Sequence, residues 1–308
     1  MFNRPDFVRL LLNRLEIIKP EIVRIYIDGP RKNYEDDKRL ISECLVMCKQ
    51  INWTKDVEIK IEESNLGIRF AIPKAVSWAL DEFDKVIVVE DDLIPHFEAF
   101  DFLEWALLQF EKNDEIGHVS GYNWVAKDLL KNQNNIGRES NFMESFIWGT
   151  WRRSWQTYGD DIFPKKFRLN ELKLIYDKCE SIFGTLVWIR EFINARNSYI
   201  STWAYRWQFN LWKLNLKCIS PNRNLGSYIG KEQGTHTRFM MVPNEIEPSS
   251  ILELEKTISS HKSEIAAESY MQRIPNRGNF QGFIKIYIIS TVLSFRHRYY
   301  SILKALRN

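Results

Sequence analysis

Three consecutive acidic residues, Glu90, Asp91 and Asp92, follow the apolar stretch VIVV at residues 86–89. Such a stretch predicts a buried strand, and three carboxylates at its end repel one another unless a cation lies between them. Carboxylate oxygens suit a hard divalent cation such as Mg²⁺ or Mn²⁺, with the diphosphate of a nucleotide completing the coordination shell. Such a cation would neutralise a leaving diphosphate in group transfer. The alternative is a capped strand end with solvated carboxylates.

The segments around this acidic cluster must position it. Apolar residues at helical spacing predict helices, and short apolar or alternating runs predict strands. The helices are predicted at about 6–18, 34–49, 68–82 and 96–112, and the strands at 22–30, 57–63 and 86–90. Strands that alternate with helices predict a mostly parallel α/β sheet, in which we expect VIVV to be central. Ligands bind at the carboxyl ends of such strands, so Asp28 and the acidic cluster are expected on one rim of the sheet.

Composition limits the classes of function. A chain of 308 residues that is 44% hydrophobic can bury a sizeable core, as one large domain or a domain with an appendage. The 43 basic and 40 acidic residues are too balanced for a nucleic-acid binder whose whole surface contacts phosphate. The four cysteines show neither disulfide density nor zinc-ligand spacing, which favours a reducing cytosol. Without a secretory signal or an apolar run of about 20 residues, the protein is expected to remain in the cytoplasm.

The middle of the chain, residues 141–230, contains seven tryptophans. Trp203, Trp207 and Trp212 recur at helical spacing, and most of the seven are expected to pack in the core. The alternative is that some line a sugar site, because aromatic faces stack on pyranose rings.

The last part of the chain differs in composition from the rest. Residues 243–280 are polar and irregular, which predicts a boundary or linker. Residues 283–308 combine an apolar stretch with several basic side chains. They are predicted to form either a terminal helix docked on the domain or an amphipathic segment that lies on an anionic membrane surface.

Several motifs carry a resemblance to a known family. In chain order they are FNRPD, YIDGP, NLGIRFAIPKAVSWAL, VIVVEDDLIPH, HVSGYN, WGTWRRSW and SPNRNLGSYIGKEQGTHT. Over about residues 2–237 the chain resembles bacterial glycosyltransferases of the GT-A fold, related to the eukaryotic N-acetylglucosaminyltransferase I family. The resemblance implies a Rossmann-like, mixed and mostly parallel sheet flanked by helices in residues 1–240, with a nucleotide-binding half at 1–120 and an acceptor half at 121–240. Residues 241–308 would then be a linker and a C-terminal amphipathic helical extension.

The resemblance implies distinct roles for the three acids. Asp92 would ligate Mn²⁺ or Mg²⁺, Asp91 would lie near the ribose, and Glu90 would lie near the donor sugar. A late histidine completes the metal shell in many GT-A enzymes, which makes His236 a candidate, although a single histidine is more often structural.

Further residues of the same motifs are implied in substrate binding. Arg4 and Asp28 would contact a uridine nucleotide, and Lys74 would belong to the same donor site. The implied acceptor-binding residues, from WGTW, are Trp148, Gly149 and Trp151.

Two departures from the family pattern affect the expected site. The family opens with an apolar strand before the FNRP-like motif, whereas here only Met1 precedes Phe2. Either the strand is absent or the start lies upstream, and a missing strand is expected to expose its neighbour and impair the nucleotide pocket.

The second departure concerns the catalytic base. In the eukaryotic relatives a Trp-Asp pair supplies it, but STWAYRW has Ala204 at that position. An inverting transfer needs a carboxylate to take the acceptor proton. Asp160 and Asp161 are the nearest candidates and Glu191 is a third, with plain surface carboxylates as the alternative for the two aspartates.

The expected function is a metal-dependent hexosyl- or N-acetylhexosaminyltransferase that uses a nucleotide sugar, such as UDP-GlcNAc. The acceptor would be a glycan or a lipid-linked saccharide of bacterial surface polysaccharide synthesis, reached at the inner face of the plasma membrane through residues 283–308. One alternative is a degenerate protein that only binds nucleotide or carbohydrate. Another is a sugar nucleotidyltransferase, although no glycine-rich phosphate loop is visible near the first strand.

Overall fold

The computed structural model describes residues 1–159, 162–230 and 250–273. These residues form an α/β structure. The helices are α1 (Pro5–Ile18), α2 (Glu35–Lys49), α3 (Ile68–Glu82), α4 (Glu98–Gln109), α5 (Arg152–Trp155), α6 (Leu169–Cys179), α7 (Ile182–Arg196), α8 (Ala204–Lys213) and α9 (Ile265–Met271). The strands are β1 (Ile22–Ile27), β2 (Asp56–Ile61), β3 (Lys85–Val89), β4 (Leu93–Pro95), β5 (Ile116–Ser120), β6 (Asn135–Ser140), β7 (Ile147–Trp151), β8 (Lys217–Pro221), β9 (Gly226–Tyr228) and β10 (Glu255–Ser259).

The helices and strands predicted up to residue 112 are all present as α1–α4 and β1–β3. The strand β3 ends at Val89, so Glu90 belongs to the turn that follows. In that turn the Leu93 backbone N–H donates to the Glu90 carbonyl at 3.3 Å. The chain then enters the unpredicted strand β4, which pairs antiparallel with β9. A three-residue strand carries too little periodicity to be detected in sequence.

The main sheet is mixed, with six strands in the order β10-β6-β8-β5-β7-β3 and helices packed against it. Only the β10–β6 and β5–β8 pairs are parallel, while β6–β8, β5–β7 and β3–β7 are antiparallel. The expectation of a mostly parallel sheet is therefore wrong for this sheet in the described residues. The expectation that β3 is central is also wrong, since β3 is an edge strand among the residues that the structure describes. Both errors concern strand pairing, which local periodicity does not reveal: the β3–β7, β5–β7 and β6–β8 pairs are antiparallel, and β3 has no partner on its other side in the described residues.

The strands β1 and β2 form a separate parallel pair. Within the described residues, β1 does not pair with β3, and an apolar cavity of about 1700 Å³ is lined by both strands. All five residues of β3 are only half-buried, as expected for a strand that lacks a partner on one side. Met1 marks one end of this gap, because its amino group donates to the Tyr26 carbonyl at 2.9 Å and its carbonyl accepts from Asp28 N at 3.1 Å.

The tryptophan-rich middle of the chain packs in the core, as predicted. All seven tryptophans between residues 141 and 230 are buried. Trp148 stacks on Trp203 with ring centroids 4.9 Å apart, and Trp155 lies 4.8 Å from Trp207. These rings fill the space between α8 and the sheet and thereby fix the position of Ala204, the first residue of α8.

Residues 250–273, which the sequence assigned to a linker, belong to the body of the domain. The strand β10 extends the main sheet, and Ala267 and Met271 of α9 are buried in its core. The Glu264 carboxylate accepts backbone N–H bonds from Lys131 and Asn132. Composition does not reveal this integration, because the strand pairing, the few buried apolar residues and the bonds from Glu264 all involve groups that are distant in the chain.

In the described ranges, no helix is long and apolar enough to cross a membrane. The segment 283–308, predicted as a basic amphipathic element, lies outside the described residues.

Candidate functional site

The turn that carries the acidic cluster is held by the start of β7. The Glu90 backbone N–H donates to the Phe146 carbonyl at 2.9 Å, and the Phe146 N–H donates to Glu90 Oε1 at 3.3 Å. Phe146 has φ of 80°, a left-handed conformation that is costly for a bulky side chain. This reciprocal bonding fixes the direction of the Glu90 side chain. Burial and the neighbouring Asp92 charge raise the pKa of Glu90 to about 8.

The cation expected beside the acidic cluster is supplied in this structure by Arg4. Its Nη1 atom lies 3.6 Å from Asp91 Oδ1 and 3.3 Å from Asp92 Oδ2. The Phe2 backbone N–H also donates to Asp91 Oδ2 at 3.3 Å. The FNRP segment and the EDD turn are thus in contact, while the donor and metal roles that the resemblance implies for Arg4, Asp91 and Asp92 stay predictions.

Asp92 remains incompletely satisfied despite this contact. Burial, followed by repulsion from Asp91, raises the pKa of Asp92 to about 6, and Arg4 opposes the shift. Its Oδ1 atom is buried and has no hydrogen-bond partner within the described part of the chain. A buried carboxylate oxygen without a partner is unfavourable, and it is the type of oxygen that a hard cation would bind.

Asp28 lies at the end of β1 and is 6% exposed. Its Oδ1 accepts from the backbone N–H of Gly29 and Leu66, and its Oδ2 accepts from Gly67 N and Asn65 Nδ2, at 2.8 to 3.0 Å. Four accepted bonds fill the usual capacity of a carboxylate. In this structure Asp28 therefore anchors the loop before α3 against the end of β1, and it shapes the cavity wall through that loop.

Sequence reasoning did not single out Asp37 and Arg31, which support the same wall. The Asp37 carboxylate accepts from Arg31 Nε and from Asn3 Nδ2, both at 2.7 Å. The hydrogen bonds from Arg31 lower the pKa of Asp37 to about 2, against the effect of burial. Arg31 also lies over the Tyr34 ring at 3.8 Å and lines the cavity with Arg4. The available signal was the position of Arg31 directly after YIDGP.

Lys74 is not brought to the acidic cluster. Its Nζ atom pairs with Glu62 Oε1 at 2.7 Å, and Glu62 also accepts from the Tyr26 hydroxyl. Tyr26 lines the cavity but Lys74 does not. Its implied role in donor binding is thus unsupported by its position, because the side chain points along the outside of α3 toward β2.

The WGTW residues do not face the cavity either. Trp148 and Trp151 are 0% and 2% exposed, and neither ring, nor Gly149, lines the cavity. An added Cβ at Gly149 would lie 2.9 Å from Leu107 Cδ1 and 3.2 Å from the Val86 carbonyl. An acceptor sugar cannot reach these residues in this structure. Their position follows from the register of β7 with β3. The motif therefore stabilises the strand that leads into the EDD turn.

Another part of the cavity wall is formed by α7, α8 and the loop between them. Ala204 lines it, and so does Glu191, which is 3% exposed and accepts from Arg190 Nε at 2.7 Å. Burial raises the pKa of Glu191 against the opposing charge of Arg190. Asp160, Asp161 and His236 lie outside the described residues.

A metal would need ligands beyond the acidic cluster. Across the described ranges, no group of three or more His, Cys, Asp or Glu side chains is arranged to hold a metal ion. The unpartnered Asp92 Oδ1 nevertheless fits one bond to a hard cation whose other ligands come from phosphate oxygens and water. The chemistry of the donor atoms thus agrees with Mg²⁺ or Mn²⁺ shared between the protein and a nucleotide diphosphate.

Comparisons with protein-family models and with curated proteins found no match to this chain.

Proposed function

We propose that this chain is a GT-A-type, metal-dependent glycosyltransferase that uses a nucleotide sugar, with UDP sugars as the first donors to test. The observation that carries the proposal is Asp92, whose buried and unpartnered carboxylate oxygen stands at the end of β3 beside the Arg4 guanidinium. The cavity at this point is lined by residues of both the β1–β3 half and the α7–α8 half. A donor and an acceptor could therefore meet in one cavity.

The residues around Asp92 suit a diphosphate. Asp92 would hold the divalent cation, which supplies Lewis-acid stabilisation of the leaving diphosphate when bound. Arg4 and Arg31 line the same cavity and would add positive charge next to phosphate oxygens. Glu90 lines the same cavity two residues before Asp92 and would lie next to the donor sugar, where its carboxyl group can hydrogen-bond to a sugar hydroxyl.

The proposal is tested with the purified chain and a panel of UDP sugars in the presence of Mn²⁺. The readouts are the release of UDP and the thermal stabilisation by donor, since a ligand that binds only the folded state raises its stability. We expect Asp92→Asn to lower turnover by at least about 100-fold, because one metal ligand is lost. The matched control is Asp84→Asn, an 84% exposed acid at the opposite end of β3. No stabilisation by any donor would contradict the proposal.

A second candidate is a degenerate protein that binds a nucleotide sugar without turnover. Two observations favour it, namely Ala204 on the cavity wall and the gap between β1 and β3. Donor-dependent stabilisation that is lost in Asp92→Asn, with no release of UDP by the wild-type chain, would select this candidate.

The acceptor class proposed here is a glycan or lipid-linked saccharide of bacterial surface polysaccharide synthesis, handled at the cytoplasmic face of the membrane. The support is the basic and apolar composition of residues 283–308. Deleting these residues should move the protein from the membrane fraction to the soluble fraction. Unchanged partitioning would remove this part of the proposal and leave the donor chemistry intact.

A further inference from the structure

The part of the cavity wall that α7 forms carries polar groups with unmet hydrogen-bonding capacity. Trp188 Nε1 and Arg190 Nη1 are buried, and neither has a hydrogen-bond partner within the described residues. Both residues line the cavity, together with the carboxylate of Glu191. Buried donors are nearly always satisfied in folded proteins, so two orphans on one wall indicate a place where a ligand supplies the acceptors.

The groups on this wall suit a ligand that carries many hydroxyl groups. It combines unpartnered donors, a carboxylate acceptor and an exposed aromatic ring, Tyr199, which is 78% exposed and also lines the cavity. Tyr199 follows Ser198, whose φ of 59° turns the chain sharply after α7. An aromatic ring beside mixed donors and acceptors is a common arrangement at sites that orient a polar ligand.

We propose that this wall is the acceptor subsite and that Glu191 is the general base of the transfer, an inference that rests on the proposed function. Glu191 Oε takes the proton of an acceptor hydroxyl, and the freed electron pair of that oxygen forms a bond to the anomeric carbon of the donor sugar. The bond between the anomeric carbon and the β-phosphate oxygen breaks, and its electron pair leaves on the nucleoside diphosphate. One glycosidic bond is formed for each sugar-phosphate bond that is broken.

The surroundings of Glu191 support this role. Burial raises its pKa, which strengthens it as a base, while the ion pair with Arg190 opposes this shift and favours the charged form. Ala204, at the position where the resemblance implies an aspartate, lines the same cavity. The cavity wall thus has a carboxylate on α7, Glu191, although it has none at the first residue of α8, Ala204.

The test uses water as the acceptor, so it does not depend on knowing the glycan. With UDP-GlcNAc and Mn²⁺, Glu191→Gln is expected to lower kcat for donor hydrolysis by about 10²–10⁴-fold with an unchanged KM for donor. Glu191→Ala should regain part of the rate in the presence of formate, which supplies a small carboxylate base. A purely structural carboxylate would not give this rescue. The matched control is Glu253→Gln, an exposed glutamate outside the cavity.

The possible outcomes separate this inference from the proposed function. Loss of hydrolysis in Glu191→Gln, retained stabilisation by donor and rescue by formate support Glu191 as the base. Wild-type rates in Glu191→Gln overturn the inference and leave the proposed function standing. Donor stabilisation without hydrolysis by the wild-type chain also overturns it, in favour of the degenerate protein. If the wild-type chain neither binds nor hydrolyses a donor, the proposed function fails and this inference fails with it.

Discussion

Arg4 Nη1 lies 3.3 Å from Asp92 Oδ2, although 88 positions separate the two residues in the chain. This contact supplies the positive charge that a run of three acids requires, and it joins the start of α1 to the end of β3. The other carboxylate oxygen of Asp92 is still buried without a partner in the described part of the chain. Arg4 therefore leaves one carboxylate oxygen of Asp92 available for a second cation.

Arg4→Ala should destabilise the protein in metal-free buffer by about 1–3 kcal/mol, because it leaves two partly buried carboxylates without their counter-charge. Added Mn²⁺ should raise Tm more in Arg4→Ala than in the wild type, because a divalent cation can replace the lost charge. The measurement is a thermal melt with and without Mn²⁺. Arg9→Ala is the control, because Arg9 is 61% exposed in an ion pair with Asp6. Equal Mn²⁺ shifts in the two variants would show that the metal does not bind beside Arg4.

Asp28→Ala should destabilise the protein by about 2–4 kcal/mol, because it leaves the backbone N–H groups of Leu66 and Gly67 without their acceptor. Asp28→Asn should also lose stability, since its single amide oxygen cannot accept all four bonds. Chemical denaturation measures both effects. Asp36→Ala is the control, an 80% exposed acid. A change below about 0.5 kcal/mol in Asp28→Ala would contradict the anchoring role of this carboxylate.

The gap between β1 and β3 should accept one more strand. Fusing six apolar, β-branched residues to the amino group of Met1 should raise stability by about 2 kcal/mol or more. The reason is that such residues would bury apolar side chains in the cavity and pair with both strand edges. Met1 already bonds to β1 through Tyr26 and Asp28, so the added residues would enter in parallel register.

The effect of this fusion is read from Tm, where about 1 kcal/mol corresponds to roughly 2–4 °C for a domain of this size class. A Gly-Ser extension of equal length is the control and should leave Tm unchanged. Equal Tm values for the two extensions would show that the gap does not take a strand.

Local structure was largely predictable from the sequence, because α1–α4 and β1–β3 each carry their own periodicity. The pairing and order of these strands in the sheet could not be predicted from the sequence. The strand β7 lies about 60 residues beyond β3, and nothing in WGTW indicates that it inserts between β5 and β3. The resemblance implies Trp148 and Trp151 as acceptor contacts, whereas the register of β7 places both side chains in the core.

The site itself was predictable in its chemistry and not in its contacts. The acidic run predicts a cation, but only the folded structure shows that Arg4 lies beside these carboxylates. The resemblance implies a different role for Arg4, namely contact with the donor nucleotide. Asp37 carries no motif of its own, and its importance comes from bonds to Arg31 and Asn3. Residues that act through backbone anchoring or long-range ion pairs leave no spacing pattern to detect.

Trp151→Phe tests whether WGTW is a structural or an acceptor motif. It removes the hydrogen bond from Trp151 Nε1 to the Leu107 carbonyl, at 3.0 Å, and leaves space in the core between β7 and α4. We expect a loss of about 2–4 kcal/mol of stability, from the cavity and the unpaired carbonyl. Catalytic constants per folded molecule should not change. An increased KM for acceptor at unchanged stability would instead restore the acceptor role.

His118 should make the protein less stable in mild acid. Its ring is 0% exposed, and burial lowers the pKa to about 3. Trp207 Nε1 can only donate, so Nδ1 of His118 accepts this bond at 3.3 Å and Nε2 donates to the Glu144 carbonyl at 3.1 Å. The fold therefore holds one neutral tautomer, and protonation would break the bond from Trp207.

The sign of this effect follows from the lowered pKa of the folded state. Between pH 6.5 and about 3 the unfolded chain binds a proton at His118 that the folded chain does not, so this contribution to stability falls as the pH is lowered. From pH 7.5 to 5.5 the loss is roughly 1 kcal/mol, relative to His118→Gln, which cannot titrate there. Urea denaturation of both proteins at the two pH values gives this difference directly. Parallel pH dependences would mean that His118 titrates in the folded protein much as it does in the unfolded chain.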